Sequence, residues 1–183
     1  MNCRTLVWSA LFLSCCGCAT VAPLPPQPRS APFSISEYAP YDSAGTASIY
    51  GQAFAKTAGG EVKYAAGDEV MLDPVTTYSQ EWWQESVVGG KTLGPGDQRV
   101  YHYQRVAVAD GEGRFHFDAL PAGDYFVICG MEWQWGRYPS ERAQVRLGTR
   151  VHLSEGERRD VILPPVSSRN STVDPWTATG QHP

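Results

Sequence analysis

The stretch Ala109–Cys129, ADGEGRFHFDALPAGDYFVIC, constrains the fold of this chain more than any other part of it. Asp110-Gly111-Glu112-Gly113 is turn chemistry, because Asp can bond its own backbone and glycine tolerates positive φ. Phe115, Phe117 and Ala119 then alternate with Arg114, His116 and Asp118. That period of two predicts a strand with the first three residues on a buried face and His116 facing solvent. Leu120-Pro121-Ala122-Gly123 makes a corner. Beyond it the odd positions Tyr125, Val127, Cys129, Met131, Trp133 and Trp135 are all apolar or aromatic. The even positions carry Phe126 and Ile128 before turning polar at Glu132 and Gln134. The second strand is therefore apolar on both faces at its start, and something must cover Phe126 and Ile128.

At these residues the chain resembles the carboxypeptidase regulatory-like domain family, a transthyretin-like (prealbumin-like) β-sandwich. The family's opening strand with a glycine corresponds to Ile49-Tyr50-Gly51, and its second apolar strand to Val70-Met71-Leu72. Its Asp-x-x-Gly-x-Phe turn corresponds to Asp110–Phe115 and its Pro-Ala-Gly-x-Tyr corner to Pro121–Tyr125. Ala143–Leu147 and Val161–Leu163 fit the closing strands. The resemblance implies an all-β chain, a single antiparallel sandwich of about seven strands over residues 46–164. It also implies a folding or docking module rather than a catalyst. Two departures stand out: Ala109 where Thr is usual before the Asp, and a long insertion at 74–104, a length of loop that is usually functional or disordered.

The N-terminus carries a second signal. Arg4 precedes the apolar run Leu6–Leu13, too short to span a bilayer and suited to a signal-peptide core. It ends in Ser14-Cys15-Cys16-Gly17-Cys18-Ala19, which looks like a bacterial lipobox. The expectation is a signal peptide over 1–17 and lipidation at Cys18, with Cys16 as the alternative. The lipid would anchor the protein to the membrane, and the residue after Cys18, not an Asp, fits outer-membrane sorting. Residues 18–45 hold Pro23, Pro25, Pro26, Pro28 and Pro32 and read as an extended linker. Residues 165–183 lack periodicity and read as a disordered tail. With 15 basic and 19 acidic side chains the chain is mildly acidic, which speaks against a nucleic-acid partner. If Cys18 is acylated, Cys129 is the one cysteine left in the domain, and it reads as a small core hydrophobe.

The insertion holds Tyr78, Trp82, Trp83, Tyr101 and Tyr103 around a glycine-rich break at 89–96. Thr77–Glu85 suits a short helix with Ser79 as N-cap. Trp82 and Trp83 can cover Phe126 and Ile128, and some of Trp82, Trp83, Trp133, Trp135 and the tyrosines can form an exposed platform that contacts a ligand; the two readings are not exclusive. His152-Leu153-Ser154-Glu155 has a zinc-carboxypeptidase spacing but no third ligand nearby, so neither a metal nor another cofactor is expected. No nucleophile elbow or phosphate loop is present. The leading expectation is a non-catalytic envelope lipoprotein, facing the periplasm or the cell surface, whose sandwich binds an envelope protein or acts as a scaffold. The alternatives are a carbohydrate- or peptidoglycan-binding module using tryptophans, and a hydrolase whose site the motifs do not show.

Overall fold

The computed structural model describes residues 25–57, 59–134, 137–138 and 142–166. The lipobox cysteines Cys16 and Cys18, the signal segment, Trp135 and the tail beyond Val166 lie outside the described residues.

The described chain is an all-β sandwich. Its strands are β1 (Ala47–Lys56), β2 (Val62–Tyr64), β3 (Glu69–Pro74), β4 (Arg105–Val108), β5 (Arg114–Leu120), β6 (Gly123–Gln134), β7 (Arg142–Leu153) and β8 (Arg158–Leu163). One sheet is built on β1, which pairs with β2 and β5 antiparallel and with β8 parallel. The other runs β4-β3-β6-β7, all antiparallel. The parallel β1–β8 pair is a departure from the all-antiparallel expectation. It arises because β8 returns beside β1 in register from Ser48↔Arg158 to Ala53↔Leu163.

Alternation along the strands fills the space between the sheets. The odd residues Tyr125, Val127, Cys129 and Met131 of β6 join Ile49, Phe115, Phe117, Leu72, Leu147 and Leu153 in one core. At roughly 25 cal/mol per Å² of apolar surface removed from water, such a core is the main favourable term in a domain of this size. Cys129 is fully buried and unpaired, as the alternation predicts.

The expected inward position of Ala119 is not observed. β5 reads Phe115 in, Phe117 in, then Ala119 out and Leu120 in. The pairing with β1 slips by one residue between Ala47 and Ile49, and Ala119 takes a left-handed φ of 54°. A bulge of this kind exchanges which side chain points inward. The Pro121–Gly123 corner follows at once. Tyr125 Oη donates to Pro121 O at 2.9 Å, and the Tyr41 ring stands 2.7 Å from where a Cβ on Gly123 would sit.

The second sheet has an outer face too, and this face positions the candidate site. Cross-strand register puts Gly148, Ile128, Met71 and Val106 in one row, and Arg150, Phe126 and Asp73 in the next. The insertion between β3 and β4 folds back over those rows. It consists of helix α2 (Thr77–Trp82), a π-helical continuation Trp83–Val88, an irregular stretch and a 3-10 segment Gln98–His102. Thr76, rather than the expected Ser79, is the N-cap of α2. Its Oγ1 accepts from Ser79 N at 3.1 Å while Ser79 Oγ accepts from Thr76 N at 2.9 Å, a reciprocal capping box.

Residues 25–45 differ from the expected extended linker. A short helix, α1 (Ile35–Tyr38), and a 3-10 turn lead into β1, and Tyr38 is completely buried. Phe33 stacks on Tyr38 at 4.9 Å, Tyr38 lies 4.7 Å from Tyr103, and Tyr78 and Val100 complete the cluster. Proline spacing suggested a spacer, but the aromatic residues between the prolines outweigh it by burying against the insertion. Pro165 and Val166, expected to belong to the tail, instead pair with β7. Pro165 bridges to Leu147, and Val166 N donates to Arg146 O at 2.8 Å.

Candidate functional site

The two tryptophans of the insertion divide the tasks considered for them. Trp83 stacks flat on Phe126, ring centroids 4.5 Å apart and 6° from parallel. Together with Trp82, Val87 and Val166 it closes the apolar patch of Phe126 and Ile128. Gly148 on β7 makes room for it: a Cβ there would lie 3.1 Å from the Trp83 ring and 3.0 Å from Val127 O. Trp82 touches the same patch and also lines a cavity that Trp83 does not reach. Trp133 sits at the end of the inter-sheet core, on the opposite face of the sheet. Trp82 and Trp83 therefore cannot share one contact surface with Trp133.

The cavity measures about 470 Å³, within the usual range for small-molecule sites. It lies between the outer face of the second sheet and the insertion. Met71 and Asp73 of β3 form its floor, with Gln104 just before β4. Trp82, Tyr78 and the exposed Tyr101 supply aromatic walls, and Arg29, Lys91 and Arg146 bring positive charge. A second hollow of about 370 Å³ lies between β7 and β8, walled by Arg150, His152, Arg159 and Asp160, with no Phe, Tyr or Trp side chain.

One wall of the cavity beneath the insertion comes from the N-terminal strap. Arg29 packs its guanidinium over the Tyr78 ring at 3.7 Å, donates from Nη2 to Tyr78 O at 2.8 Å and faces Glu81 at 3.3 Å. Glu81 Oε1 also accepts from Ser30 N at 2.5 Å and Ser30 Oγ at 2.6 Å. Burial opposes the Glu81 charge, but these hydrogen bonds and Arg29 win and hold its carboxyl below the ordinary range. Gln27 N donates to Thr92 O at 2.8 Å, and Gly94 N donates to Gln27 O at 2.7 Å. The strap and the glycine-rich stretch thus form a small ladder beside the cavity mouth.

Asp73 is the polar centre of the floor. It is 2 % exposed, and burial pushes its carboxyl up to about 7 despite a hydrogen bond from Gln104 and the nearby Arg29. Its Oδ1 has no hydrogen-bond partner. The other buried side-chain atoms in that condition among the described residues are Arg29 Nε, Glu81 Oε2 and Tyr38 Oη. The first two face each other as an ion pair. Tyr38 lies beside Thr76 without a well-formed hydrogen bond, and burial pushes its hydroxyl up to about 12. Asp97, the other acid in the lining, has both oxygens held by Arg99 at 2.9 and 2.7 Å, which keeps it down at about 2.

The remaining polar residues of interest lie apart from the cavity. His152 pairs with Asp124 at 3.3 Å, whereas Glu155 accepts from Thr46 Oγ1 at 2.5 Å, so the two do not converge. His116 and His102 are exposed, next to Asp118 and Asp42. Arg29, Asp73, Gln104 and Arg146 were not singled out by sequence. Asp73 did leave a trace there, as the one acid directly following Val70-Met71-Leu72 at the mouth of the insertion.

No protein-family model matches this chain, and no characterised protein matches it in sequence. Among solved structures it is similar to a proposed carbohydrate binding protein from Pseudomonas aeruginosa. That likeness has a TM-score of 0.62 and 24 % identity, covering 72 % of this chain and 96 % of the other. It establishes the shared sandwich fold.

Proposed function

We propose that this chain is a glycan-binding module, with its ligand in the cavity between the insertion and the outer face of the second sheet. The observation that carries this reading is the lining itself: Trp82 and the exposed Tyr101 beside Gln104 and Arg146. Sugars present apolar C–H faces and polar edges, and such a site meets the first with rings and the second with fixed donors and acceptors. The fold relative from Pseudomonas aeruginosa, for which carbohydrate binding is itself a proposal, points the same way. We place the module in the carboxypeptidase regulatory-like group and on a lipid anchor at Cys18, as the sequence motifs imply. The partner is then an envelope or extracellular polysaccharide, in preference to the protein partner that sequence first suggested.

A catalytic reading has one observation in its favour. Asp73 and Asp97 line the same cavity with their acidities pushed in opposite directions, a pattern seen in acid–base pairs. Glycoside hydrolysis needs both carboxyls free to meet the sugar. Arg99 occupies both oxygens of Asp97, so binding is the better reading.

A glycan array probed with the full chain tests it. Wild type is expected to light a related group of oligosaccharides, and Trp82→Ala to lose at least tenfold in signal. An array dark for wild type, or unchanged by Trp82→Ala, would refute the assignment. Release of shorter sugars from a bound oligosaccharide would favour hydrolysis.

A further inference from the structure

We propose that the cavity beneath the insertion selects sugars that carry a carboxylate, uronates and their like, and that Arg146 is the residue that reads the acid. This rests on the glycan reading of the cavity and deepens it, from a type of ligand to the charge that ligand bears.

The charges of the lining pair off until one accessible cation is left. Arg29 faces Glu81, Lys91 is paired with Glu85, and Arg99 holds both oxygens of Asp97. Asp73 is buried in the floor, out of a ligand's reach. Arg146 is exposed, and among the described residues it makes no ion pair. Glu69 lies two strands away on β3, roughly 10 Å across the sheet, and Glu132 is held by Arg142 and Gln144. The chain as a whole has a formal net charge of −4 at pH 7, so an unmatched cation in its cavity does not follow from composition.

Position and orientation suit a carboxylate. Arg146 lies on the outer face of β7, opposite Gly130 on β6. Gly130 is exposed, and a Cβ added there would meet nothing within 4 Å, so the surface beside the guanidinium is open. Nη1 of Arg146 donates to Ser86 O at 2.7 Å, which holds the group from the side of the insertion. Capping a helical carbonyl takes only that one N–H. Nε and Nη2 are left over, and they form the edge with which arginine grips a carboxylate by two parallel hydrogen bonds. Ser86 also lines the cavity and follows Trp82 by four residues, about one turn of helix or roughly 5.4 Å along its axis. A pyranose set against Trp82 with its acid toward Ser86 therefore brings carboxylate and guanidinium together inside one cavity. A neutral sugar leaves that edge of Arg146 to water.

The test is a glycan array of uronate-bearing oligosaccharides, the same glycans with each carboxyl reduced to the alcohol, and sulfated counterparts. It is probed with the full chain as wild type, Arg146→Gln, Arg146→Lys and Arg150→Gln. Wild type is expected to bind the acidic glycans about tenfold more tightly than their reduced forms. Arg146→Gln should bring that ratio close to one, while Arg146→Lys, a point charge without the fork, should keep part of it. Arg150→Gln, on the same strand and face but outside the cavity lining, should keep all of it. Thermal melts check that the variants fold as wild type does. If Arg146→Gln does not, Arg146→Lys and the wild-type ratio decide. Equal binding of acidic and reduced glycans by wild type, or a ratio that survives Arg146→Gln, would overturn this inference and leave the glycan reading intact. So would a preference for sulfated over carboxylated sugars, or a ratio lost equally in Arg150→Gln. An array dark for wild type would overturn both.

Discussion

Asp73 and Trp83 are two residues whose burial has opposite consequences for the stability of this domain. Asp73 has a folded value of about 7 against an ordinary 3.8. A raised acid favours folding fully only below its unfolded value, and the advantage is lost as pH climbs through the folded one. Stability is therefore expected to fall between about pH 4 and 7 and to level off above, by an amount on the order of a few kcal/mol. Asp73→Asn should flatten that slope, as urea unfolding at pH 5 and pH 8 would record; an unchanged slope would place the titration elsewhere. Trp83 does the reverse, since its flat contact with Phe126 excludes water from an otherwise bare sheet face. Trp83→Ala should cost about 3 kcal/mol, the low end for truncating a large aromatic, and Trp82→Ala clearly less. Equal losses in the two unfolding curves would contradict the division of labour between them. The need for a cover over Phe126 and Ile128 was legible from the two apolar faces of one strand. Asp73 was not, because a single acid has no period, and its meaning comes from cross-strand register with Phe126 and from Gln104, distant in sequence.

At the scale of elements, the N-terminal strap is the least expected part. Strands announce themselves by alternation, and β5, the Pro121–Gly123 corner and β6 lie where that pattern puts them. The strap has no repeat to read: Arg29, Phe33 and Tyr38 each meet a different element, and prolines dominate its composition. The helix cap shows the same limit on a smaller scale. Thr76 and Ser79 are both good caps, and only the chain direction out of β3 selects Thr76. The strap is held mainly through Glu81, which gathers Arg29, Ser30 and Ala31. Limited trypsin digestion can test this. In the wild type the Arg29–Ser30 bond should resist, because Arg29 is half-buried, ion-paired and packed on Tyr78. Glu81→Ala leaves the Arg29 side chain without its carboxylate and the Ser30 amide without an acceptor, so cleavage after Arg29 should accelerate at least tenfold. Equal rates in both proteins would mean that the Phe33–Tyr38 cluster alone holds the strap.

For the whole molecule, the docked strap changes how the domain stands relative to the proposed anchor. An extended linker over 18–45 would hold the sandwich as far as roughly 87 Å from the membrane at about 3.1 Å per residue. Residues 25–45 are folded against the insertion, so a lipid on Cys18 leaves only residues 18–24 between bilayer and body, a reach of at most roughly 25 Å. The cavity shares a wall with that strap through Arg29, so on such an anchor the proposed glycan site would belong to a body held on that short tether. The anchor itself is testable on the full chain expressed in a bacterial host. Mass spectrometry of the mature N-terminus should find an acylated Cys18, since stable anchoring takes more than one acyl chain. Cys18→Ser should shift the protein from the membrane to the soluble fraction, while Cys16→Ser should leave it in place. Retention of both variants, or an unmodified residue at the mature N-terminus, would remove the anchor and with it the short tether. The cavity would stand unaffected, because every side chain that lines it begins at Arg29 or later.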